Sequence, residues 1–258
     1  MSTILASTIE GVRLLSLNRP DKFNSFNKEM AVQLQNELDL VAADPEIRAV
    51  LITGEGKAFS AGQDLSEAID PDGPGIPTIV REHYNPILQK IRALEKPVVC
   101  AVNGVAAGAG ANIALACDVV IAAASASFIQ AFSKIGLVPD SGGSFFLPRL
   151  IGFQRASALM MLGDKVTAQD ALQMGMLYKV VADESLKEES LKIASTLSKM
   201  PTKGIGYTKL LLNESLSNDF FTQLNREEKY QQLAGETADY KEGVDAFLEK
   251  RKPVFKGN

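Results

Sequence analysis

The chain has 258 residues, enough for one large domain with its own buried core or for a domain with a helical appendage. Hydrophobic residues make up 46% and charged residues 22%, a balance that excludes a disordered chain. Lysine and arginine total 27 against 31 aspartates and glutamates, a net charge of −4, and no basic cluster marks a nucleic-acid surface. We therefore expect no nucleic-acid partner.

The sequence also disfavours membrane and metal sites. No apolar stretch approaches the roughly 18 residues of a spanning helix, and the N-terminus lacks a signal-peptide pattern, so we expect a cytoplasmic protein without a membrane partner. Cys100 and Cys117 lie in apolar runs and are predicted to be reduced core residues. His83 is the only histidine, which leaves no usual zinc site, and its surroundings predict a partly exposed helix residue.

Predicted strands and helices alternate in the first part of the chain. Residues 4–8 and 12–17 predict a hairpin, and Asn27 is a good N-cap for a helix that ends at Asp44-Pro45. Further buried strands are predicted over residues 48–53, 98–102 and 118–123. This alternation predicts an α/β domain with layered strands, which we place at residues 1–199.

The segment 66–78 holds three prolines and two glycines, which predicts a surface loop of the length that often serves as a lid. The helix after it has one apolar stripe, made of Tyr84, Ile87, Leu88, Ile91 and Leu94.

From about residue 153 the pattern becomes helical. Helices are predicted over residues 153–162, 167–174, 185–199, 202–216, 219–234 and 237–251, with one strand-like run at 178–181. We place a C-terminal helical region at residues 200–258.

Two loops of small residues follow buried strands, at residues 57–65 and 103–112. The second contains Gly108-Ala109-Gly110, but Ile113 stands where a dinucleotide fingerprint needs a third glycine. A strand, a small-residue turn and a helix start direct free N–H groups into one space. Each loop alone is also explained by close packing. Two such donors aimed at one carbonyl oxygen would stabilise an enolate, and the pairing of the loops favours that interpretation.

Asp140 is the candidate base. It precedes an apolar run within residues 139–144 (Pro-Asp-Ser-Gly-Gly-Ser), a spacing that by itself favours a helix N-cap.

Motifs spread along the whole chain resemble the crotonase (enoyl-CoA hydratase/isomerase) superfamily. They are residues 18–20 (Asn-Arg-Pro), 57–65 (Lys-Ala-Phe-Ser-Ala-Gly-Gln-Asp-Leu), 96–110, 136–143 (Gly-Leu-Val-Pro-Asp-Ser-Gly-Gly) and 239–251. The resemblance implies a ββα spiral whose C-terminal helical region forms a homo-oligomer, a trimer or hexamer. It also implies an acyl-CoA thioester substrate, with CoA entering as part of that substrate and no metal or redox cofactor.

The resemblance assigns the oxyanion donors to the backbone N–H groups of Ala61 and Ala109. Asn112 and Phe132 stand where the hydratases of the superfamily carry glutamates, and Asp140 stands where several isomerases keep a working carboxylate. Water addition needs both an acid and a base, so the missing glutamates disfavour a hydratase. With the resemblance, we interpret Asp140 as the base rather than a cap.

The resemblance also implies contacts with CoA. Adenine would meet the backbone of residues 63–65, the lysines would face phosphates, and the last helix would reach the CoA of a neighbouring subunit. The residues concerned are Gln63, Asp64, Leu65, Lys22, Lys57, Phe247 and Lys250. The alternatives are solvated charges for the lysines and a core position for Phe247.

The expected activity is isomerisation of an acyl-CoA by proton abstraction α to the thioester. Residues 61–65, 132–140 and 232–235 resemble most the ring-1,2-epoxyphenylacetyl-CoA isomerases of phenylacetate catabolism, which convert the epoxide to an oxepin. Two alternatives stay open: a Δ3,Δ2-enoyl-CoA isomerase of linear chains, and a non-catalytic scaffold that binds CoA esters.

Overall fold

Strands and helices alternate through much of the chain, which confirms the predicted α/β class. The computed structural model describes residues 2–258. Its strands are β1 (Ile4–Ile9), β2 (Val12–Leu17), β3 (Ala49–Gly54), β4 (Ala58–Ser60), β5 (Val98–Val102), β6 (Val105–Ala107), β7 (Val119–Ala123), β8 (Ser127–Ile129), β9 (Lys165–Thr167) and β10 (Lys179–Val181). Its α-helices are α1 (Lys28–Ala43), α2 (Leu65–Ala68), α3 (Gly75–Thr78), α4 (Asn85–Ala93), α5 (Ala109–Leu115), α6 (Gly143–Ile151), α7 (Phe153–Leu162), α8 (Ala168–Met174), α9 (Leu186–Ser198), α10 (Thr202–Ser215), α11 (Phe220–Gly235) and α12 (Ala238–Leu248).

The larger sheet has the strand order β1-β2-β3-β5-β7-β10. β1 and β2 form the predicted antiparallel hairpin, and the other neighbours run parallel. β5 is buried at every residue, which explains its continuous apolar run and the burial of Cys100 within it. The strands predicted over residues 48–53, 98–102, 118–123 and 178–181 are confirmed to within one residue.

The smaller sheet, β4-β6-β8-β9, was not predicted from the sequence. Its strands have three residues each, too few to show a hydrophobic period. β4 and β6 are parallel neighbours, so the loops that follow them leave from the same edge of the sheet. They are parts of the two small-residue segments predicted as loops, 57–65 and 103–112. That prediction is wrong in part, because the segments also contain β4 and β6 and the start of α5.

The prediction of one long loop over residues 66–78 is wrong. The Asp64 carboxylate caps α2 by accepting a hydrogen bond from Ser66 N at 3.1 Å, and α3 begins at Gly75, whose φ is +70°. A π-helical segment, Ile79–Tyr84, then leads directly into α4.

His83 lies in this π-helical segment and is only 3% exposed, so the prediction of partial exposure is wrong. The segment packs against α1, where Gln35 Nε2 donates hydrogen bonds to the main-chain carbonyls of Glu82 and His83. That packing turns the imidazole inward.

The helices predicted after residue 153 are confirmed, with one difference at the end. α12 stops at Leu248 rather than near residue 251, and Arg251 turns back to pair with Glu242 at 2.6 Å. Within residues 2–258, no helix combines the length and apolarity that a bilayer crossing needs.

Ionic contacts tie α10 to the larger sheet. Lys209 on α10 is buried and pairs with Asp118, just before β7, at 2.8 Å. Arg92 on α4 binds the other oxygen of the same carboxylate at 3.0 Å. The division of the chain between residues 199 and 200 stays a prediction.

Candidate active site

Two loops, one after β4 and one after β6, touch through their backbones. A side chain on Gly62 would meet Ala107 O at 2.8 Å and Ala109 N at 3.4 Å, and Gly62 has φ +89°. A side chain on Gly110 would collide with Ser60. Both positions therefore need glycine, because any larger residue would push the loops apart.

Ala109 supplies one free backbone donor in the space between these loops. It is the first residue of α5, so its N–H has no partner within the helix, and none is found among residues 2–258. The residue is buried, which strengthens an interaction with developing negative charge. The predicted role of the Ala109 N–H is compatible with this geometry.

The assignment of the second donor to Ala61 needs correction. The Ala61 N–H already donates to the main-chain carbonyl of Phe23 at 2.9 Å. Two residues later, Gln63 N–H has no acceptor in the described part of the chain. The loop therefore offers the N–H of Gln63 in place of that of Ala61.

A short parallel bridge explains the direction of the Gln63 N–H. Phe26 N donates to Gly62 O at 2.7 Å, and Asp64 N donates to Phe26 O at 2.8 Å. In a parallel bridge of this kind, the N–H of the residue between the two bonded groups points the other way. Gln63 N–H is thereby turned away from Phe26.

Asp140 does not cap a helix. The N-cap of α6 is Gly142, and no side chain caps that helix. Asp140 Oδ1 is buried and has no hydrogen-bond partner among residues 2–258. Burial raises the pKa of Asp140, and the nearby Ser141 hydroxyl lowers it in part. A carboxylate in this state is a stronger base than one in water.

Asn112 fixes the position of Asp140 relative to α5. Its Nδ2 donates to the main-chain carbonyl of Asp140 at 2.9 Å, and its Oδ1 accepts from Gln130 Nε2 at 2.8 Å. Asn112 follows Ala109 by three residues, so both lie on the same side of α5. The main chain of the candidate base is thus held by Asn112, which lies one helical turn from the candidate oxyanion donor Ala109.

Phe132 is an apolar wall of the same site. Its ring lies 3.7 Å from the position that a side chain on Gly108 would occupy, and the residue is buried. With Asn112 and Phe132 in place, neither position supplies a carboxylate beside Asp140.

The residues expected to contact CoA are only partly brought together. Gln63, Asp64 and Leu65 form the end of the donor loop at residues 57–65, whereas Lys22 and Lys57 are exposed side chains on the surface. The Asp64 carboxylate has a structural task as the cap of α2.

Arg19, which was not predicted as a site residue, pairs with Asp64 at 2.8 Å. Burial alone would raise the pKa of Asp64, but hydrogen bonds from Ser66 and Arg19 outweigh it, and the net effect is a lowered pKa. The Asn-Arg-Pro motif at residues 18–20 was the available signal for this ion pair.

Phe247 and Lys250 lie at the end of α12 and just beyond it. Phe247 is 83% exposed, so the alternative interpretation as a core residue is wrong. Lys250 is also exposed and has φ +56°. Both side chains are free to meet another molecule.

A family model described as enoyl-CoA hydratase/isomerase matches residues 7–258. The chain therefore belongs to the enoyl-CoA hydratase/isomerase family. The resemblance to the crotonase superfamily is confirmed by this match.

Members of the family with isomerase names are among the similar proteins. The chain is 49% identical to the 1,2-epoxyphenylacetyl-CoA isomerase of Escherichia coli (strain K12), over 100% of this chain and 99% of the relative. It is 37% identical to the trans-2-decenoyl-(acyl-carrier-protein) isomerase of Streptococcus mutans, over 98% of each.

The fold is shared with solved structures of the family. The crystal structure of an enoyl-CoA hydratase from Polaromonas sp. JS666 superimposes with a TM-score of 0.92 at 35% identity, covering 98% of this chain and 99% of that one. The crotonase-type fold is confirmed by this likeness.

Proposed function

We propose that the protein is an acyl-CoA isomerase that removes a proton from the carbon α to a thioester. The observation that carries this proposal is the Asp140 carboxylate, which has a buried, unpartnered oxygen. Its main chain is held by Asn112, one helical turn from Ala109 and its free N–H. One base beside oxyanion donors suits proton transfer on carbon, whereas water addition needs a second proton carrier.

The proposed mechanism begins with the thioester oxygen between the N–H groups of Gln63 and Ala109. Asp140 takes the proton from C2, and the electron pair moves toward the thioester carbonyl, whose oxygen becomes negative. The two N–H groups stabilise that charge. The pair then returns to form a C=C bond at C2, and Asp140 gives the proton back at the far end of the displaced π system, which is C4 in a linear 3-enoyl ester. With the ring epoxide, the ring carbon–carbon bond of the epoxide opens to give the oxepin, and the proton is returned to a carbon of that ring. No step needs a metal or a redox cofactor, and CoA enters as part of the substrate.

The substrate that we favour is 2-(1,2-epoxy-1,2-dihydrophenyl)acetyl-CoA, which would be converted to the oxepin-CoA. The E. coli relative of that name, at 49% identity over the full chain, supports this choice. Lys22 and Lys57 would face the phosphates of CoA, and the backbone of residues 63–65 would meet its adenine.

A second candidate is the Δ3,Δ2-isomerisation of linear enoyl-CoA esters, in which Asp140 would carry the proton from C2 to C4. The 37% identity to the trans-2-decenoyl-(acyl-carrier-protein) isomerase of S. mutans, whose name gives a linear acyl chain, supports this second candidate. A scaffold that binds CoA esters without turnover is the non-enzymatic alternative.

We also propose that the active form is a trimer or a multiple of it. α11 and α12 expose several large apolar side chains, which another subunit would cover in an assembly. They include Phe220, Phe221, Leu224, Val244, Phe247 and Leu248. In such an assembly Phe247 and Lys250 would reach the CoA of a neighbouring subunit.

Turnover assays with the ring epoxide and with a linear 3-enoyl-CoA test the function. We expect conversion of at least one of them, and the ratio of the two kcat/KM values identifies the preferred acyl group. If both CoA esters bind tightly and neither is converted, the isomerase proposal is wrong and the protein is a scaffold that binds CoA esters.

A further inference from the structure

The side chain of Gln63 is held at both ends by polar partners. Its Oε1 accepts a hydrogen bond from the Tyr84 hydroxyl at 2.8 Å, and its Nε2 donates to Glu67 Oε2 at 2.9 Å. Glu67 is itself anchored, since its Oε1 accepts from Lys28 N at 2.9 Å. A side chain at the turn between β4 and α2 is therefore fixed from two separate elements, α2 and the π-helical segment.

The chemistry of the partners dictates the orientation of the Gln63 amide. A carboxylate accepts only, so the NH2 group must face Glu67, and the Oε1 must face the donor Tyr84. Tyr84 is fully buried, and that burial raises its pKa well above the usual value, with the negative charges of Asp140, Glu67 and Asp64 acting in the same direction. The phenol thus keeps its proton and remains a donor.

The same residue carries the backbone N–H that we assign to the oxyanion site. The parallel bridge to Phe26 holds the backbone of Gln63, and the hydrogen bonds of its amide group hold its side chain. The ring of Tyr84 packs on that of Phe26, with centroids 5.8 Å apart, so the two restraints support each other.

We propose that Tyr84 and Glu67 are positioning residues that hold Gln63 so that its backbone N–H points at the thioester oxygen. This inference rests on the proposed function of the site. In this proposal both residues act through their hydrogen bonds to the Gln63 side chain. Small errors in the placement of an oxyanion donor reduce the rate strongly, because the donor must match the position of the developing charge.

The first test compares Tyr84→Phe with wild type in isomerase turnover. Loss of the hydroxyl leaves Gln63 Oε1 without its donor while nearly conserving volume. We expect kcat to fall about tenfold and KM to change less than about twofold, because substrate contacts are kept and only the transition state loses alignment. Tyr230→Phe is the matched control, since it also removes a phenol hydrogen bond, to Glu214 at 3.1 Å between α10 and α11. Its kcat should stay at the wild-type value.

The second test does not depend on turnover. A 3-oxoacyl-CoA forms an enolate whose ultraviolet absorption reports the negative thioester oxygen directly. Wild type should stabilise this bound enolate, and both Tyr84→Phe and Gln63→Met should weaken its signal at saturating ligand. Because Gln63→Met keeps the backbone N–H, its loss of signal would come from positioning alone.

A double-mutant cycle joins the two variants. If Tyr84 acts through Gln63, the double variant should lose no more than the worse single variant, whereas independent sites would multiply their effects. Wild-type kcat and enolate signal in Tyr84→Phe would overturn the positioning role. Absence of the enolate signal in wild type would also overturn it, because there would be no oxyanion site to position. If wild type gives the enolate signal but no isomerisation, the proposed function is wrong and the positioning role is still judged by the signal.

Discussion

Asn112 and Asp140 are joined by a hydrogen bond from a side-chain amide to a main-chain carbonyl, at 2.9 Å. A side chain on Gly143 would collide with that same amide, so α6 begins directly against α5. At the position that the resemblance matches to a hydratase glutamate, this chain thus carries a residue that holds the main chain of Asp140.

Asp140→Asn should abolish isomerisation while keeping the fold. An amide cannot accept a proton from carbon, and a lost general base costs at least about 10²-fold in rate. Turnover and acyl-CoA affinity of the purified variant, beside Asp140→Ala, check this. Near-full turnover of Asp140→Asn would show that the base lies elsewhere.

Asp140→Asn should also melt at a higher temperature than wild type at pH 7. The folded protein raises the pKa of Asp140 by burial, so above the ordinary value near 3.8 its ionisation weakens the fold. The stabilising effect of the amide should therefore shrink as the pH falls toward 4. If the difference in melting temperature between Asp140→Asn and wild type stays constant between pH 4 and pH 8, the pKa of Asp140 is not raised by burial.

The same raised pKa of Asp140 predicts how the isomerase rate falls at acidic pH. The base must be ionised to work, so kcat/KM should fall as the pH drops through a value above 3.8. A pH profile checks this, with the protein's stability measured at each pH to separate unfolding from titration.

Gly62→Ala should damage both activity and stability. Its Cβ would meet Ala107 O at 2.8 Å, which would separate the two donor loops. Gly152→Ala is a matched control, because Gly152 has φ +81° and nothing within 4 Å of the added carbon. Both variants force an alanine to a positive φ, which costs roughly 1–3 kcal/mol of stability. Only Gly62→Ala should also lose turnover. Equal kinetics in the two variants would mean that the loop contact is not needed.

Hydration of crotonyl-CoA by wild type should be negligible beside isomerisation. Asn112 and Phe132 cannot carry protons as paired glutamates do, and Asn112→Glu combined with Phe132→Glu should raise hydration above the wild-type level. The amounts of 3-hydroxyacyl-CoA and of isomerised enoyl-CoA among the products measure hydration and isomerisation, respectively. Fast water addition by the unmodified chain would show that the site works differently.

Strong hydrophobic patterns made the strands of the larger sheet and the long helices predictable from the sequence. The short strands and the hydrogen bonds within the loops could not be predicted in this way. The apolar run at residues 98–102 could be recognised as a strand, but three-residue strands such as β4 have no period. The loop after β4 was identified as a donor loop, yet which of its N–H groups is free depends on the hydrogen bond from Ala61 to Phe23, a partner far along the chain. Asp140 was found from motif position, and its lack of a capping role only from three-dimensional contacts.

The burial of Cys100 and Cys117 has a practical consequence for measuring how often the fold opens. The chain has two cysteines in all, and neither thiol is accessible in the native state. A thiol reagent added to the native protein can react only when the centre of the larger sheet or the end of α5 separates from its neighbours. The rate of labelling without denaturant therefore reports transient opening of the core, with no exposed thiol to mask it.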